Sequence, residues 1–366
     1  MSDFSAIDCA HMAHALRLAE RGLYTAHPNP IVGCVLVQGD EVVGEGWHKA
    51  AGEAHAEINA LNSAGDKARG AIAYVTLEPC SHHGKTPPCT DALIEAGVAE
   101  VVVAIEDPNS EVNGQGLAAL TAADVKIRVG LMRDEAENLL RGFLSRVTRQ
   151  QPFVRLKMAS SLDGCIAMSS GESQWITGAE ARSDVQRLRA QSGAIMTGIG
   201  TVLADDPSFT VRDPSLDTTD RQPLRVVLDN DLRMPLSAEM LVLPGKTLIY
   251  CIADSGQQPL IDAGAEVVKI AADDDQVDAR AVLRDLARRE INDVLVEAGP
   301  ALAGSLISRG LVDELVIYQS PHIMGSETMG MFETPTWTDL ADRKTLNITD
   351  VRRVGTDTRI TAQVAG

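Results

Sequence analysis

The chain is short of aromatic residues: Phe, Trp and Tyr make up 3% of its 366 residues, against a hydrophobic share of 45%. Its cores must therefore be filled by aliphatic side chains and Met, with few large rings to anchor them. Long apolar runs are missing as well. None approaches the roughly 20 residues that span a bilayer, and the opening stretch MSDFSAIDCAHMAHALRLAERG carries acids and His where a secretory signal has a basic start and an apolar run. This predicts a cytoplasmic protein with no membrane attachment. Positive charge is scarce too. The formal net charge is −18, and neither residues 1–150 nor residues 151–366 hold a positive balance. A protein that grips a polynucleotide usually shows a basic face, so no nucleic-acid partner is expected, and an anionic ligand should be small and held by a few placed cations. Cys9, Cys34, Cys165 and Cys251 are scattered singly, which does not make a disulfide framework; they read as small buried apolar groups. No G-x-G-x-x-G follows an expected strand, so a Rossmann-type cofactor site is not supported.

What is present reads as two blocks of alternating strands and helices, residues 1–150 and 151–366, divided at the polar, Pro-terminated stretch Arg149-Gln150-Gln151-Pro152. In the first block Met12, Leu16, Ala19 and Leu23 recur at helical spacing, with Asp8 or Ser5 available as the N-cap, and the helix should end near Gly22. Strands are expected over 31–37, 42–45, 72–77, 100–105 and 125–129, and helices over 55–64, 90–96, 117–123 and 134–147. In the second block strands are expected over 153–159, 194–197, 224–228, 247–252, 266–270, 294–296 and 314–319, and helices over 180–190, 279–290 and after the junction 299–305, with two further segments at the C-terminus. Asp273-Asp274-Asp275 reads as a solvated loop. Residues 311–318 are apolar enough to lend a strand to a second copy of the chain in a homo-oligomer.

The chemistry gathers in the first block. His55-Ala56-Glu57 and Pro79-Cys80, followed by Cys89, offer one imidazole, two thiolates and a carboxylate not needed as a ligand. Three protein ligands are one short of the four that close a structural zinc site, whereas a catalytic zinc leaves a position for water. A carboxylate beside that position can shuttle the protons of the water. His55 and Glu57 fall in the first turn of one expected helix and Cys80 just after a strand, so two β-to-α junctions at one end of a sheet bring the ligands together. A helix N-terminus there also favours thiolate. His82 and His83 are neighbours in a loop and are left out of the ligand set.

H-A-E followed by P-C and a second Cys is the signature of the zinc nucleobase deaminases. Nucleoside and tRNA deaminases have P-C-x-x-C, whereas eight residues separate Cys80 from Cys89 here. That longer loop, PCSHHGKTPPC, with HPNPIVGCVLV, GEAHAEINAL, YVTLEPCSH and EDPNSEVNGQG, resembles the deaminase half of the bifunctional riboflavin-biosynthesis enzymes. The resemblance implies an α/β fold with an N-terminal cytidine-deaminase-like α/β/α domain. It implies removal of the 2-amino group of a diaminohydroxy-(phosphoribosylamino)pyrimidine, with Zn2+ on His55, Cys80 and Cys89 and Glu57 as the catalytic proton carrier. It also places Asn29, His48, Lys85, Asp107 and Asn109 around the substrate, with Lys85 suited to its phosphate.

In the second block KMASSLDG, SGESQWIT, GIGTVLADDPSFTVR, VEAGPALAGSLI and LVDELVIY resemble the reductase half of the same enzymes, which implies a dihydrofolate-reductase-like α/β domain. The match weakens after about residue 325. This half is expected to use NADPH to turn the ribosyl side chain into a ribityl one by hydride delivery to C1′. By motif position Ala159, Trp175, Thr201, Asp205 and Asn230 contact the cofactor, Asn230 standing where the family pattern has a Ser. So does the run Gly299, Pro300, Ala301, Leu302, Ala303, Gly304 and Ser305, whose glycines and helix N-terminus suit an anion. Lys157, Ser173, Arg189, Phe209, Arg212 and Glu297 contact substrate, the two arginines being suited to phosphate through forked hydrogen bonds. Two other readings stand beside this one: a nucleoside or nucleic-acid deaminase with an accessory domain, and a regulator whose zinc is structural and whose second domain senses nucleotides. The regulator predicts a fourth protein ligand.

Overall fold

The computed structural model describes residues 4–81, 87–109, 114–219 and 221–364. The chain divides into two compact units, Met1–Gln150 and Gln151–Gly366. Among the described residues no helix is long and apolar enough to cross a membrane.

The first unit runs α1 (Ala6–Glu20), β1 (Gly33–Gln38), β2 (Glu41–Trp47), α2 (Ala56–Ala64), β3 (Ile72–Val75), α3 (Cys89–Glu95), β4 (Glu100–Val103), α4 (Gln115–Ala122), β5 (Lys126–Val129) and α5 (Arg133–Arg149). Its sheet has the order β2-β1-β3-β4-β5. β1 is antiparallel to both neighbours, and β3, β4 and β5 are parallel. β3 and β4 are buried along nearly their whole length, as strands covered on both faces by helices should be. The core is aliphatic, with Met12, Leu36, Leu93, Leu120 and Leu140 fully enclosed. Gly44 and Gly46 of β2 let α2 lie directly on the strand: a Cβ at Gly46 would come within 2.2 Å of the Ala56 carbonyl oxygen, and one at Gly44 within 2.3 Å of that of Ala60.

Ser5 is the N-cap of α1, and Asp8 takes the third helical position of a capping box. Asp8 does more than cap. Its buried carboxylate accepts from the Ser5 N–H and hydroxyl (both 2.8 Å), the Tyr74 hydroxyl (2.7 Å) and the Arg128 guanidinium (2.9 and 3.1 Å). Arg128 also pairs with Glu100, so one network ties α1 to β3, β4 and β5.

The second unit comprises β6 (Phe153–Ser160), β7 (Cys165–Ala167), α6 (Ala179–Gln191), β8 (Ala194–Gly198), α7 (Ile199–Asp205), β9 (Leu224–Leu228), α8 (Glu239–Val242), β10 (Thr247–Cys251), α9 (Gln258–Asp262), β11 (Glu266–Lys269), β12 (Ala272–Asp273) and β13 (Gln276–Val277). It continues with α10 (Ala279–Arg288), β14 (Asp293–Glu297), α11 (Pro300–Ser308), β15 (Glu314–Gln319), β16 (Met329–Gly330), β17 (Leu346–Val354) and β18 (Asp357–Val364). Nine strands form one sheet in the order β11-β10-β9-β8-β14-β6-β15-β18-β17. All neighbours are parallel except at the β15, β18 and β17 edge. The chain winds outward from β6 through β8 to β11 and then returns to insert β14 between β8 and β6. A crevice opens at such a reversal, beyond the carboxyl ends of the strands.

Three expectations need correction. Residues 311–318 are not available to a partner as a strand, because β15 is hydrogen-bonded to β6 on one side and to β18 on the other, with Leu315, Val316 and Tyr318 buried. Cys9, on the outer face of α1, is exposed, whereas Cys34, Cys165 and Cys251 are buried. Asp274 and Asp275 do form a turn, in left-handed conformations between β12 and β13, but Asp273 is ion-paired with Arg309.

The Asp8 network sets a pH-dependent contribution to stability. Arg128 holds the Asp8 carboxyl well below its usual range, so its contribution is present above the unfolded-state pKa of about 4 and is lost as acid protonates it. Asp8→Asn should cost about 3 kcal/mol at pH 7, and the gap from the parent should close as pH falls below about 4. Denaturant melts of the full chain across pH check this; a gap that stays constant with pH would rule it out.

Candidate active sites

The first site is built where α2 and α3 begin. His55 is the N-cap of α2, and Glu57 lies in its first turn. Cys89 opens α3, and Cys80 sits in the segment that leads to it from β3. The Cys89 N–H donates to Cys80 Sγ at 3.3 Å, and the Thr90 N–H to the Cys80 carbonyl at 3.2 Å, which seats Cys80 at the positive end of α3. His55 Nδ1 is 3.6 Å from Cys80 Sγ and 3.3 Å from Cys89 Sγ, and the three ligand atoms lie within 4.8 Å of one another. With Zn–N near 2.0–2.1 Å and Zn–S near 2.3 Å, a tetrahedral N···S edge is about 3.6 Å. The donor set and its spacing fit zinc. Among the described residues no fourth His, Cys, Asp or Glu joins the group, as a closed structural site would require.

The electrostatics of the cluster are graded. The hydrogen bond from Cys89 holds Cys80 down to about 4, against the opposing effect of its own burial, with the neighbouring His55 adding to the depression; the same bond pushes Cys89 up. Glu57 is 3% exposed. Burial pushes its carboxyl up to about 7, with the charge of Cys80 adding to the effect. A carboxyl in that range can both take and return a proton near neutral pH.

His48, just past β2, is buried rather than an exposed strand-end residue. Burial pushes its pKa down, which favours the neutral ring. Its Nδ1 lies 3.2 Å from the Ala54 carbonyl and its Nε2 3.0 Å from Asn29 Nδ2. The neutral tautomer that satisfies both donates from Nδ1 and accepts the Asn29 amide at Nε2. The His48 ring stands edge-on to that of His55 at 5.4 Å, so Asn29, His48 and His55 form one connected set. Asp107 is buried beyond β4, and its Oδ1 accepts the Asn109 N–H at 2.9 Å. The Asp107 N–H donates to Glu78, a buried acid that the motif reading passed over although it stands inside YVTLEPCSH. Lys85, with His82 and His83, lies outside the described residues.

The second site is a cavity of about 1260 Å³ at the reversal in the nine-stranded sheet, lined only by residues of the second unit. That exceeds the roughly 300–1,000 Å³ of an ordinary small-molecule pocket, so there is space for two ligands. Lys157 and Ala159 reach it from β6, Glu297 from β14, and Thr201 and Asp205 from α7. Ser173, Trp175, Phe209, Arg212 and Asn230 line it as well. Trp175 is 70% exposed and lies under the Arg182 guanidinium at 4.6 Å. Phe209 is buried at a positive φ of 44°, an uncommon backbone state for a bulky residue.

Glu297 is the centre of this site. The Arg189 fork closes on it at 2.6 and 3.1 Å, and Lys157 Nζ lies 3.8 Å away. Burial acts to raise the Glu297 carboxyl, but Arg189 and Lys157 outweigh it and hold it low, so it stays charged. Burial pushes Lys157 down, with Arg189 adding to the shift. Arg189 therefore spends its fork on a carboxylate, where the sequence suggested a phosphate, while Arg212 is exposed on the cavity wall. Asn230 is likewise engaged, donating to the Gln276 side chain at 2.7 Å and accepting the Val277 N–H at 3.0 Å.

The run 299–305 is the β14-to-α11 turn and the first turns of α11. Gly299, Pro300, Ala301, Leu302 and Ser305 line the cavity. Ala303 and Gly304 do not: the helical phase turns Ala303 into the core, and a Cβ at Gly304 would meet the Glu333 carbonyl oxygen at 1.8 Å. Thr201 Oγ1 accepts the Gly299 N–H at 3.2 Å, tying α7 to this turn. Arg233 and Arg309 also line the cavity; neither lies in a motif that would have singled it out.

Comparison with known proteins matches each unit to a known domain. Residues 152–360 match the model of the RibD C-terminal domain, and residues 5–105 that of the cytidine and deoxycytidylate deaminase zinc-binding region. The riboflavin biosynthesis protein RibD of Escherichia coli K12 is 48% identical over 357 residues, covering 95% of this chain and 96% of that protein. RibD of Haemophilus influenzae is 44% identical over 370 residues, covering 99% and 98%. The structure of Acinetobacter baumannii RibD superposes with a TM-score of 0.93 at 43% identity, over 98% of this chain and 99% of that one. A Thermotoga maritima diaminohydroxyphosphoribosylaminopyrimidine deaminase/5-amino-6-(5-phosphoribosylamino)uracil reductase superposes at 0.86 and 32% identity, over 98% and 99%. The structural-zinc regulator finds no support. A His-Cys-Cys cluster beside a buried glutamate in one unit, a large cavity in the other, and relatives matched over nearly the whole chain place this protein in the RibD family of bifunctional deaminase/reductases of riboflavin biosynthesis.

Proposed function

We propose that the first site deaminates 2,5-diamino-6-(5-phosphoribosylamino)pyrimidin-4-one, and that the second reduces the ribosyl side chain of the product to give 5-amino-6-(5-phosphoribitylamino)uracil. The observation that carries the first step is the convergence of His55, Cys80 and Cys89 beside buried Glu57. Zinc held by these three residues would lower the pKa of water enough to supply a nucleophile near neutral pH. Glu57 takes the proton of the attacking water and passes it to the ring nitrogen and then to the leaving amine; a carboxyl pushed up to about 7 suits both transfers. Asn29, with its amide nitrogen held by His48, has its carbonyl oxygen left to meet a donor on the pyrimidine edge. Asp107 and Asn109 complete the substrate side, and Lys85 is assigned to the phosphate.

For the reduction, Gly299, Pro300, Ala301 and Leu302 at the start of α11 suit the cofactor's phosphates, with Thr201 holding the turn. Glu297, kept charged by Arg189, orients Lys157. Lys157 is half-buried with a lowered proton affinity, so it can lend a proton as the sugar ring opens and C1′ receives hydride. Arg212, on the cavity wall, is the better phosphate ligand of the two arginines first considered. Ser173 and Phe209 flank the substrate. Two ligand thiols that must stay unoxidised fit a cytoplasmic setting, and both substrates are small molecules.

Glu57→Gln should lower the deamination rate by at least about 100-fold while zinc content and NADPH oxidation stay at parent levels. Retained deamination would remove Glu57 from the mechanism. Cys89→Ala should lose zinc, measured by metal analysis of the purified chain, and deamination with it; full zinc occupancy would mean that the metal sits elsewhere. Arg212→Ala and Lys157→Ala should both impair reduction. The first should act mainly on KM for the deaminated phosphate, by about tenfold, and the second mainly on kcat. Equal loss of deamination in either variant would contradict the two-site assignment.

A further inference from the structure

Glu78 has no part in the chemistry above, yet few carboxylates in the first unit are so fully bonded. It is 4% exposed and stands two residues before Cys80. Its Oε2 accepts the N–H groups of Asp107 and Gly114, both at 3.1 Å. Its Oε1 accepts those of Gly116 at 3.0 Å and Leu117 at 3.3 Å. Gly116 makes this approach possible, since a Cβ there would lie 2.3 Å from the Pro79 carbonyl oxygen and 3.0 Å from Glu78 Oε1.

Capping of α4 accounts for the Gly116 and Leu117 bonds, where an anion meets the positive end of a helix. It does not account for the bond to Asp107, which lies on the far side of the segment joining β4 to α4. That bond and the one to Gly114 anchor both ends of the segment to the residue that begins the Cys80 turn. Asp107 in turn accepts the Asn109 N–H, so the Glu78 carboxylate, together with the backbone bond from the Glu78 N–H to the Ile105 carbonyl at 3.0 Å, ties both residues to the segment that leads into Cys80. We propose that Glu78 is a positioning residue for the deamination substrate: it holds Asp107 and Asn109 in register with the metal-ligand turn without touching the pyrimidine. The proposal rests on the substrate roles given to Asp107 and Asn109 above.

The test uses the full-length, zinc-loaded protein carrying Glu78→Gln. The amide keeps one acceptor but turns an NH2 group toward backbone donors. KM for the pyrimidine 5′-phosphate in deamination should rise about tenfold or more, with kcat within about threefold of the parent and with zinc content and NADPH-dependent reduction unchanged. Gly116→Ala pushes α4 away from Pro79 and should raise the same KM; it serves if Glu78→Gln does not yield soluble protein. An unchanged KM in a folded variant would overturn the proposal. So would a joint loss of zinc and kcat, which would make Glu78 a plain support of the fold. Asp107→Ala separates the two layers of inference. If it leaves KM unchanged, the substrate role of Asp107 fails; if it raises KM and Glu78→Gln does not, only the coupling fails.

Discussion

Taking a charged group out of water costs several kcal/mol unless something answers the charge, and the architecture of both sites follows from how each buried acid is answered. Asp8 is met by a guanidinium and hydroxyls, and Glu78 by four backbone N–H groups. Glu297 is met by Arg189 and Lys157. Glu57 differs. Burial lifts its proton affinity, outweighing the hydrogen bonds and the nearby His55 that act to lower it. The first three acids are bonded so that they fix positions. The fourth is left poised between its two protonation states, and that one sits beside the metal ligands.

How much of this could be read from the chain depended on the distance over which each contact closes. His55 and Glu57 share a helical turn, and Cys80 and Cys89 flank one loop, so their meeting follows from local geometry and from two junctions at one end of a sheet. The pairs that define the rest are remote in sequence. Arg128 reaches Asp8 from 120 residues away and Arg189 reaches Glu297 from 108. These contacts exist only because the sheet order brings β5 near α1 and β14 beside β8, and no periodicity states that order. The resemblance named Arg189 as a substrate contact but could not say that its fork would already be closed. Ala303 and Gly304 show the same limit on a smaller scale. A run of seven residues reads as one loop, but once helical from Pro300 it presents only some of its faces to the cavity.

The scarcity of aromatics has a counterpart in the structure. The first unit packs mainly with Leu, Val, Ile, Ala and Met; Tyr74 and Phe143 enter its core, and Trp47 packs half-buried against it. In the second unit the rings fall partly at the cavity. Trp175 stands open to solvent, and Phe209 is held in an uncommon backbone state. Flat side chains of this kind suit planar ligands such as a nicotinamide or a pyrimidine, so part of the small aromatic content lies where planarity is useful.

The contact between Gly44, Gly46 and α2 bears on how the deaminase half can change over evolutionary time. One short helix carries His55 at its N-cap and Glu57 in its first turn, and at Gly44 and Gly46 it rests on the strand with no side chain between. Any residue that lifted the helix would move His55 and Glu57 together and by the same amount. The placement of His55 and Glu57 is therefore inherited as one trait from that side of the first unit. Variation that adjusts the cluster without moving that pair has to arise on the opposite wall, among the residues that place Cys80 and Cys89.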